Sequence, residues 1–135
     1  MTELDALRPL EGLAPPPGGE PWDVAMVDRS VRIDQEVEAR LLPYLQACPV
    51  FLAWMEYTRD LIGDRFGVEG GSAIASDGVY YWRLDAVDYI REYDIAVPDE
   101  VVAHCESRDW RPPEFSRPEY LAIYQRLEQM LVPEF

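Results

Sequence analysis

Apolar residues first recur at helical intervals near position 34. Val37, Leu41, Leu42 and Leu45 fall at i, i+4, i+5 and i+8, with Glu36, Glu38 and Arg40 on the wet side. Asp34 can cap this helix, expected over 34–47, and Pro43 inside it predicts a kink or a restart because its ring removes a backbone hydrogen bond. Pro49 ends the helix. The apolar run Val50-Phe51-Leu52-Ala53-Trp54-Met55 then lies between Pro49 and the polar Glu56 to Arg59, which predicts a buried strand. Residues 60–71, with glycines at 63, 67, 70 and 71, read as a loop.

The clearest local signal is Ala73-Ile74-Ala75-Ser76-Asp77-Gly78-Val79-Tyr80-Tyr81-Trp82. Asp-Gly between two strand-forming runs predicts a two-residue hairpin turn, with both central residues at positive φ. Tyr80 and Trp82 share one face of the second strand, and Val79 and Tyr81 the other. A helix over about 85–93 follows, with Asp85 as its expected N-cap, Asp88 in its first turn, and Ala86, Tyr89, Ile90 and Tyr93 in one apolar stripe. Pro98 is expected at the first position of the next helix, about 98–107, whose inner residues are Val101, Val102 and Cys105. Ser116-Arg117-Pro118-Glu119 is a capping-box pattern opening a helix over about 117–131, striped by Tyr120, Tyr124, Leu127 and Leu131.

Ahead of these elements, Ala14-Pro15-Pro16-Pro17-Gly18-Gly19-Glu20-Pro21 cannot sustain a helix or an inner strand. Residues 1–21 are therefore expected to be a flexible arm, in which Leu4, Leu7 and Leu10 could form a short amphipathic turn, and residues 22–135 a single domain anchored at its start by Trp22. Strands in one block with most helices after them predict an α+β fold. Its small antiparallel sheet, the hairpin plus one further strand, packs against about four helices.

Composition adds the sign of the surface. The chain has 135 residues, 26 Asp and Glu against 12 basic residues, and a net charge of −14. Every basic residue is arginine, and lysine and asparagine are absent, a pattern of codon bias in a GC-rich genome. Apolar residues at 48% exclude wholesale disorder. The charge argues against nucleic acid and anionic lipid as partners and allows a cationic one. The N-terminal residues carry no basic-then-apolar leader, so a cytoplasmic protein with reduced, buried Cys48 and Cys105 is expected.

Few residues are arranged for catalysis. His104 is the single histidine and precedes Cys105, so on a helix their side chains diverge by about 100° and cannot serve as base and nucleophile. A Cys48–His104 pair across the fold has no flanking pattern to support it. The one histidine and two cysteines are too few for a structural zinc site, no segment has the alternating acids of a calcium loop, and no other cofactor is expected. Gly67-Val68-Glu69-Gly70-Gly71 lacks the Lys-Ser/Thr of a phosphate loop, and neither Ser72 nor Ser76 sits in a nucleophile elbow.

Acids and aromatics coincide instead. From Asp77 to Asp109 there are nine acids (77, 85, 88, 92, 94, 99, 100, 106, 109) against three arginines (83, 91, 108). The same stretch holds Tyr80, Tyr81, Trp82, Tyr89 and Tyr93, and Trp110 follows it. An acidic surface bearing Tyr and Trp suits a basic protein. The expected partner-binding residues are Asp77, Tyr80, Trp82, Asp85, Asp88, Tyr89, Glu92 and Asp94, with no catalytic or metal residues.

Ser76-Asp77-Gly78-Val79-Tyr80-Tyr81-Trp82, Tyr89-Ile90-Arg91-Glu92-Tyr93, Val97-Pro98-Asp99-Glu100 and Arg108-Asp109-Trp110-Arg111-Pro112-Pro113 together resemble the pattern of a loose, largely uncharacterised group of small bacterial proteins. Some of that group resemble immunity proteins, the antidotes made alongside secreted toxins. Many of them have Trp-Pro after the strand where this chain has Trp82-Arg83. The resemblance spans roughly residues 48–115 and implies a non-enzymatic inhibitor of a basic partner such as a toxin. The alternatives from other classes are a DNA-mimicking acidic protein, a small enzyme using Cys105 or a carboxylate pair, and a self-associating homo-oligomer.

Overall fold

The computed structural model describes residues 7–132 and has an α+β fold. The strands are β1 (Arg8–Pro9), β2 (Val50–Leu52), β3 (Tyr57–Arg59), β4 (Gly67–Glu69), β5 (Ile74–Ser76) and β6 (Tyr80–Arg83). The helices are α1 (Gln35–Ala47), α2 (Ala86–Tyr93), α3 (Asp99–Ser107) and α4 (Arg117–Leu131), and a single 3₁₀ turn covers Val24–Met26. A four-stranded sheet runs in the order β1-β6-β5-β2, and β3 and β4 form a separate two-stranded sheet. No helix among the described residues is long and apolar enough to cross a membrane.

Alternation along β6 explains the layering. Tyr80 and Trp82 face one core with Leu41 and Leu45 of α1, Ala86 and Ile90 of α2, and Val101 and Cys105 of α3. Tyr81 faces a second core with Ile74, Phe51 and the α4 residues Ile123, Leu127 and Met130. The sheet is thus covered on both faces. Tyr80, Tyr81 and Trp82 are therefore all buried, although Tyr80 and Tyr81 point to opposite faces.

The arm departs most from expectation. Residues 7–14 dock on the domain: β1 adds to the sheet edge parallel to β6, and Leu7, Leu10, Leu13 and Ala14 are buried, bridging both cores. Burial of three leucines outweighs the weak local propensity of a short, proline-flanked segment. Gly12 makes the docking possible, since at φ +80° an added Cβ would lie 2.6 Å from the Met26 carbonyl oxygen. Trp22 is half-buried and donates from Nε1 to the Gly12 carbonyl at 2.9 Å. Leu4 lies outside the described residues.

Other elements shift by smaller amounts. α1 runs unbroken through the exposed Pro43, and Asp34 caps it by accepting from the amides of Glu36 and Val37. The 50–55 run is strand only to Leu52, and residues 53–57 are exposed. The expected 60–71 loop contains β4, which pairs with β3 in the register Tyr57↔Glu69, Thr58↔Val68, Arg59↔Gly67. The Tyr57 hydroxyl lies over Gly67, in the space a Cβ there would take. The β5–β6 hairpin turn centres on Gly78 (φ +89°) and Val79, one residue later than expected, and Asp77 is not left-handed. Pro98 is the residue before α3, not its first residue. The capping box of Ser116 and Glu119 opens α4 as predicted.

Candidate functional site

Asp77 collects three elements at one carboxylate. Its Oδ1 accepts from the amides of Val79 (2.9 Å) and Tyr80 (2.8 Å), closing the hairpin turn. Its Oδ2 accepts from the Tyr44 hydroxyl of α1 at 2.6 Å and lies 2.8 Å from Nε2 of His104 on α3. The carboxylate can only accept, so the proton of that pair sits on Nε2. Asp77 is buried and the His104 side chain is 18% exposed. A cleft of about 420 Å³ adjoins the turn, lined by Asp77, Gly78, Arg108, Phe115 and Glu119 among others.

A His–Asp pair can orient a general base, but neither cysteine under the influence of Asp77 is an activated nucleophile. Burial, reinforced by the negative charge of Asp77, pushes the thiols of Cys48 and Cys105 up to about 12, the opposite of what a nucleophilic cysteine needs. Burial and Asp77 also hold the Tyr44 phenol far above its usual range, and burial alone pushes Tyr81 up to about 12. Both cysteines are free, and no group of acids, His and Cys among the described residues could hold a metal ion.

These groups predict an alkaline limit. In the unfolded chain the thiols ionise near 9.0 and the phenol near 10.0, whereas folding keeps all three neutral to about 12. The unfolded state sheds protons first, so stability present below pH 9 is lost as pH rises from 9 toward 12. Urea midpoints should hold level to about pH 9 and then fall; a midpoint that rises across that window would contradict the burial of these groups. Native thiols should likewise resist alkylation until denaturant is added.

Two more buried carboxylates are committed to the fold. Asp85 was expected to cap α2, yet its side chain makes no cap hydrogen bond. Arg83 instead donates to it from Nε (2.9 Å) and Nη2 (2.8 Å), and the Thr58 hydroxyl of β3 donates at 3.0 Å. Thr58 presses close enough that a Cβ at position 71 would sit 1.8 Å from its hydroxyl, so Gly71 is needed where the two sheets meet. Asp60 accepts from the amides of Ile62, Gly63 and Arg65 and from the Tyr93 hydroxyl. Burial would raise its carboxyl, but these bonds outweigh burial and hold it below the usual range.

The expected partner-binding residues therefore divide. Asp77, Tyr80, Trp82, Asp85 and Tyr89 are each 1–4% exposed, which corrects their assignment to a partner surface: they are core and internal anchors. Asp88 is half-buried beside Arg91 at 3.7 Å, and burial raises its carboxyl. Glu92 is exposed. Asp94 ends α2 in the left-handed region at φ 53° and pairs with Arg32 at 3.0 Å on the surface. These three remain available, but without an aromatic among them.

The exposed aromatics lie elsewhere. Trp54 (41%), Met55 (97%), Tyr57 (57%) and Leu61 (63%) are all exposed within eight residues of chain, an apolar ridge in sequence running from the link after β2 into the β3–β4 hairpin, among the exposed Glu56 and Glu69. Trp54 and Met55, expected in a buried strand, lie beyond the end of β2 and are exposed. The partners of Asp77 are also invisible in a short window of sequence, lying 33 and 27 residues away in Tyr44 and His104. The only sequence signal was an acid before Gly78 followed by an aromatic strand. No family model, curated protein or solved structure matches the chain.

Proposed function

We propose that this chain is a non-enzymatic, acidic protein-binding module of the cytoplasm that acts by occlusion, as an immunity- or antitoxin-like inhibitor of a basic partner. The observation that carries the reading is the exposed ridge Trp54-Met55-Tyr57-Leu61 on a chain of net charge −14. Several exposed apolar side chains close together in sequence, two of them aromatic, suit a binding surface, and Tyr and Trp are favoured anchors. The surrounding negative field selects a positively charged partner and speeds its approach. The buried acids support a non-catalytic reading, because Asp60, Asp77 and Asp85 each have both carboxylate oxygens engaged by groups of the chain itself.

The test is capture of partners from the native cell with wild-type protein and with Met55→Asp/Tyr57→Ala. Both positions are exposed, so the thermal midpoint should stay within about 2 °C of wild type. Retention of the partner should fall at least about tenfold, the loss expected when hot-spot contacts are removed. The on-rate for the captured partner should drop with added salt, and an on-rate indifferent to salt would remove the charge argument.

A further inference from the structure

A second surface has the composition of a receptor for a basic segment. Two adjoining hollows, of about 470 and 370 Å³, share Glu11, Met26 and Pro98 and form one groove between the N-terminal segment, the 3₁₀ turn and the start of α3. Its apolar side is Met26 (39% exposed), Val31 (62% exposed) and Pro98. Its rim carries Glu11, Asp28, Asp99 and Glu100, all exposed, and none takes part in an ion pair among the described residues.

Local structure explains only part of this rim. Asp99 and Glu100 sit in the first turn of α3, where the helix dipole favours acids, and Asp28 accepts from the Ser30 amide and hydroxyl. Nothing local holds Glu11, and no element of the fold requires these acids to converge on one apolar hollow. Among the described residues Arg8 is the one basic residue lining the groove, and it is committed to Tyr80, donating to its hydroxyl at 3.0 Å with the guanidinium 5.1 Å from the ring centroid. The sheet edge beside the groove does not invite an added strand. The amides of Arg8 and Leu10 are spent inward on the carbonyls of Val79, just before β6, and Tyr81 within it, and Pro9 between them has no N–H to offer. Occupancy must therefore come through side chains.

We infer that this groove binds a basic, amphipathic segment of a protein partner, whose Arg or Lys residues meet Glu11, Asp28, Asp99 and Glu100 while an aliphatic side chain enters over Met26, Val31 and Pro98. The inference rests on the proposed acidic binding function and places a second contact away from the β3–β4 ridge. A second copy of this chain is a poor occupant, since it carries the same charge of −14.

The probe is a short synthetic peptide alternating Arg and Leu, with an alternating Glu and Leu peptide as control. Binding is read by fluorescence anisotropy and amide chemical shifts on the full chain. The variant Glu11→Gln/Asp28→Asn/Asp99→Asn/Glu100→Gln should lose at least about tenfold in affinity, several weak exposed pairs acting together. A control with the same change in net charge, Glu36→Gln/Glu106→Gln/Glu114→Gln/Glu128→Gln, should lose less than about threefold. Met26→Ser/Val31→Ser, which leaves the charge unchanged, should also weaken binding, and shifts should centre on residues 8–12, 26–31 and 97–101.

Equal losses in the two charge variants would overturn the groove and leave a general acidic attraction. Peptide binding to wild type with shifts confined to residues 54–61 would overturn it as well, while the ridge reading stands. No binding of the Arg-Leu peptide to wild type would overturn the groove, and the salt test of the native partner would then judge the wider function separately. A groove variant that alters the mass of the chain in light scattering, but not peptide affinity, would assign the groove to self-association and overturn the proposal.

Discussion

Asp85→Ala should destabilise the fold by about 3–5 kcal/mol, the range for stranding one partner of a buried ion pair. The Asp85 side chain is 1% exposed and that of Arg83 12%, and two nearly parallel N–H···O bonds join them. Without the carboxylate, the guanidinium keeps only the face of Trp22, 4.2 Å from its carbon, which does not neutralise it. The Thr58 hydroxyl also loses its acceptor, so the β3–β4 sheet should loosen where it meets the main sheet. In a domain of this length the thermal midpoint should fall by roughly 10–20 °C. Asp85→Leu combined with Arg83→Met should recover much of the loss, because removing both ions strands neither. Calorimetry on the single and double variants decides it; a single variant within about 2 °C of wild type would show that the pair does not hold the sheets together.

Asp77→Ala should cost a similar amount, about 3–5 kcal/mol, for a different reason. Four donors lose their acceptor at once: the amides of Val79 and Tyr80, the Tyr44 hydroxyl and His104 Nε2–H. Each buried donor left unsatisfied costs about 1–3 kcal/mol, and the losses overlap because the site can relax or admit water. Asp77→Asn separates the two halves of the carboxylate. Its amide oxygen can still accept from Val79 and Tyr80, but its NH₂ group cannot accept from Tyr44 or His104. It should retain the hairpin turn and lose about half the stabilisation. Hydrogen exchange at Val79 and Tyr80 reads the turn, and the imidazole resonances of His104 read the contact with α3. If exchange at both amides rises as much in Asp77→Asn as in Asp77→Ala, the division of roles between the two oxygens is wrong.

The alkaline limit belongs with these effects. All three follow from polar or ionisable groups enclosed when the sheet is covered on both faces, and none follows from local helix or strand propensity. Asp85 illustrates the difference. Its position before an apolar helical stripe made a cap the natural expectation, since capping needs only the next few residues. An Arg two residues earlier competes for the same carboxylate, and burial under Thr58 and Gly71 decides the competition, because an unpaired guanidinium inside costs more than an unmade cap.

What was legible in the sequence was whatever a short window contains. The stripe of α1, the hairpin around Gly78, the dipole acids of α3 and the Ser116–Glu119 capping box each depend on residues within about one or two turns, and each formed within one residue of where the spacing placed it. The α+β class followed from their order. The candidate sites were much less legible. Trp54 and Met55 continue an apolar run, so only the end of the β2–β5 pairing reveals that they stand in water. The β3–β4 strands carry too little apolar alternation to be read as strands, and they are held by Thr58 bonding to Asp85 and by the Asp60 turn.

The sequence by itself therefore determined the elements with local causes, the inward position of Cys105, and the sign of the net charge. Tertiary structure decided which charges that sign refers to. Of the acids between Asp77 and Asp109, Asp77 and Asp85 are enclosed because helices cover both faces of one sheet, while Asp99 and Glu100 stay outside and converge with Glu11 and Asp28 from distant parts of the chain. The arm shows the same physics. Its prolines and glycines forbid regular structure in isolation, but three leucines and one parallel strand pairing gain enough from burial to make residues 7–14 part of both cores. Burial is a property of the assembled chain, and no window of the sequence contains it.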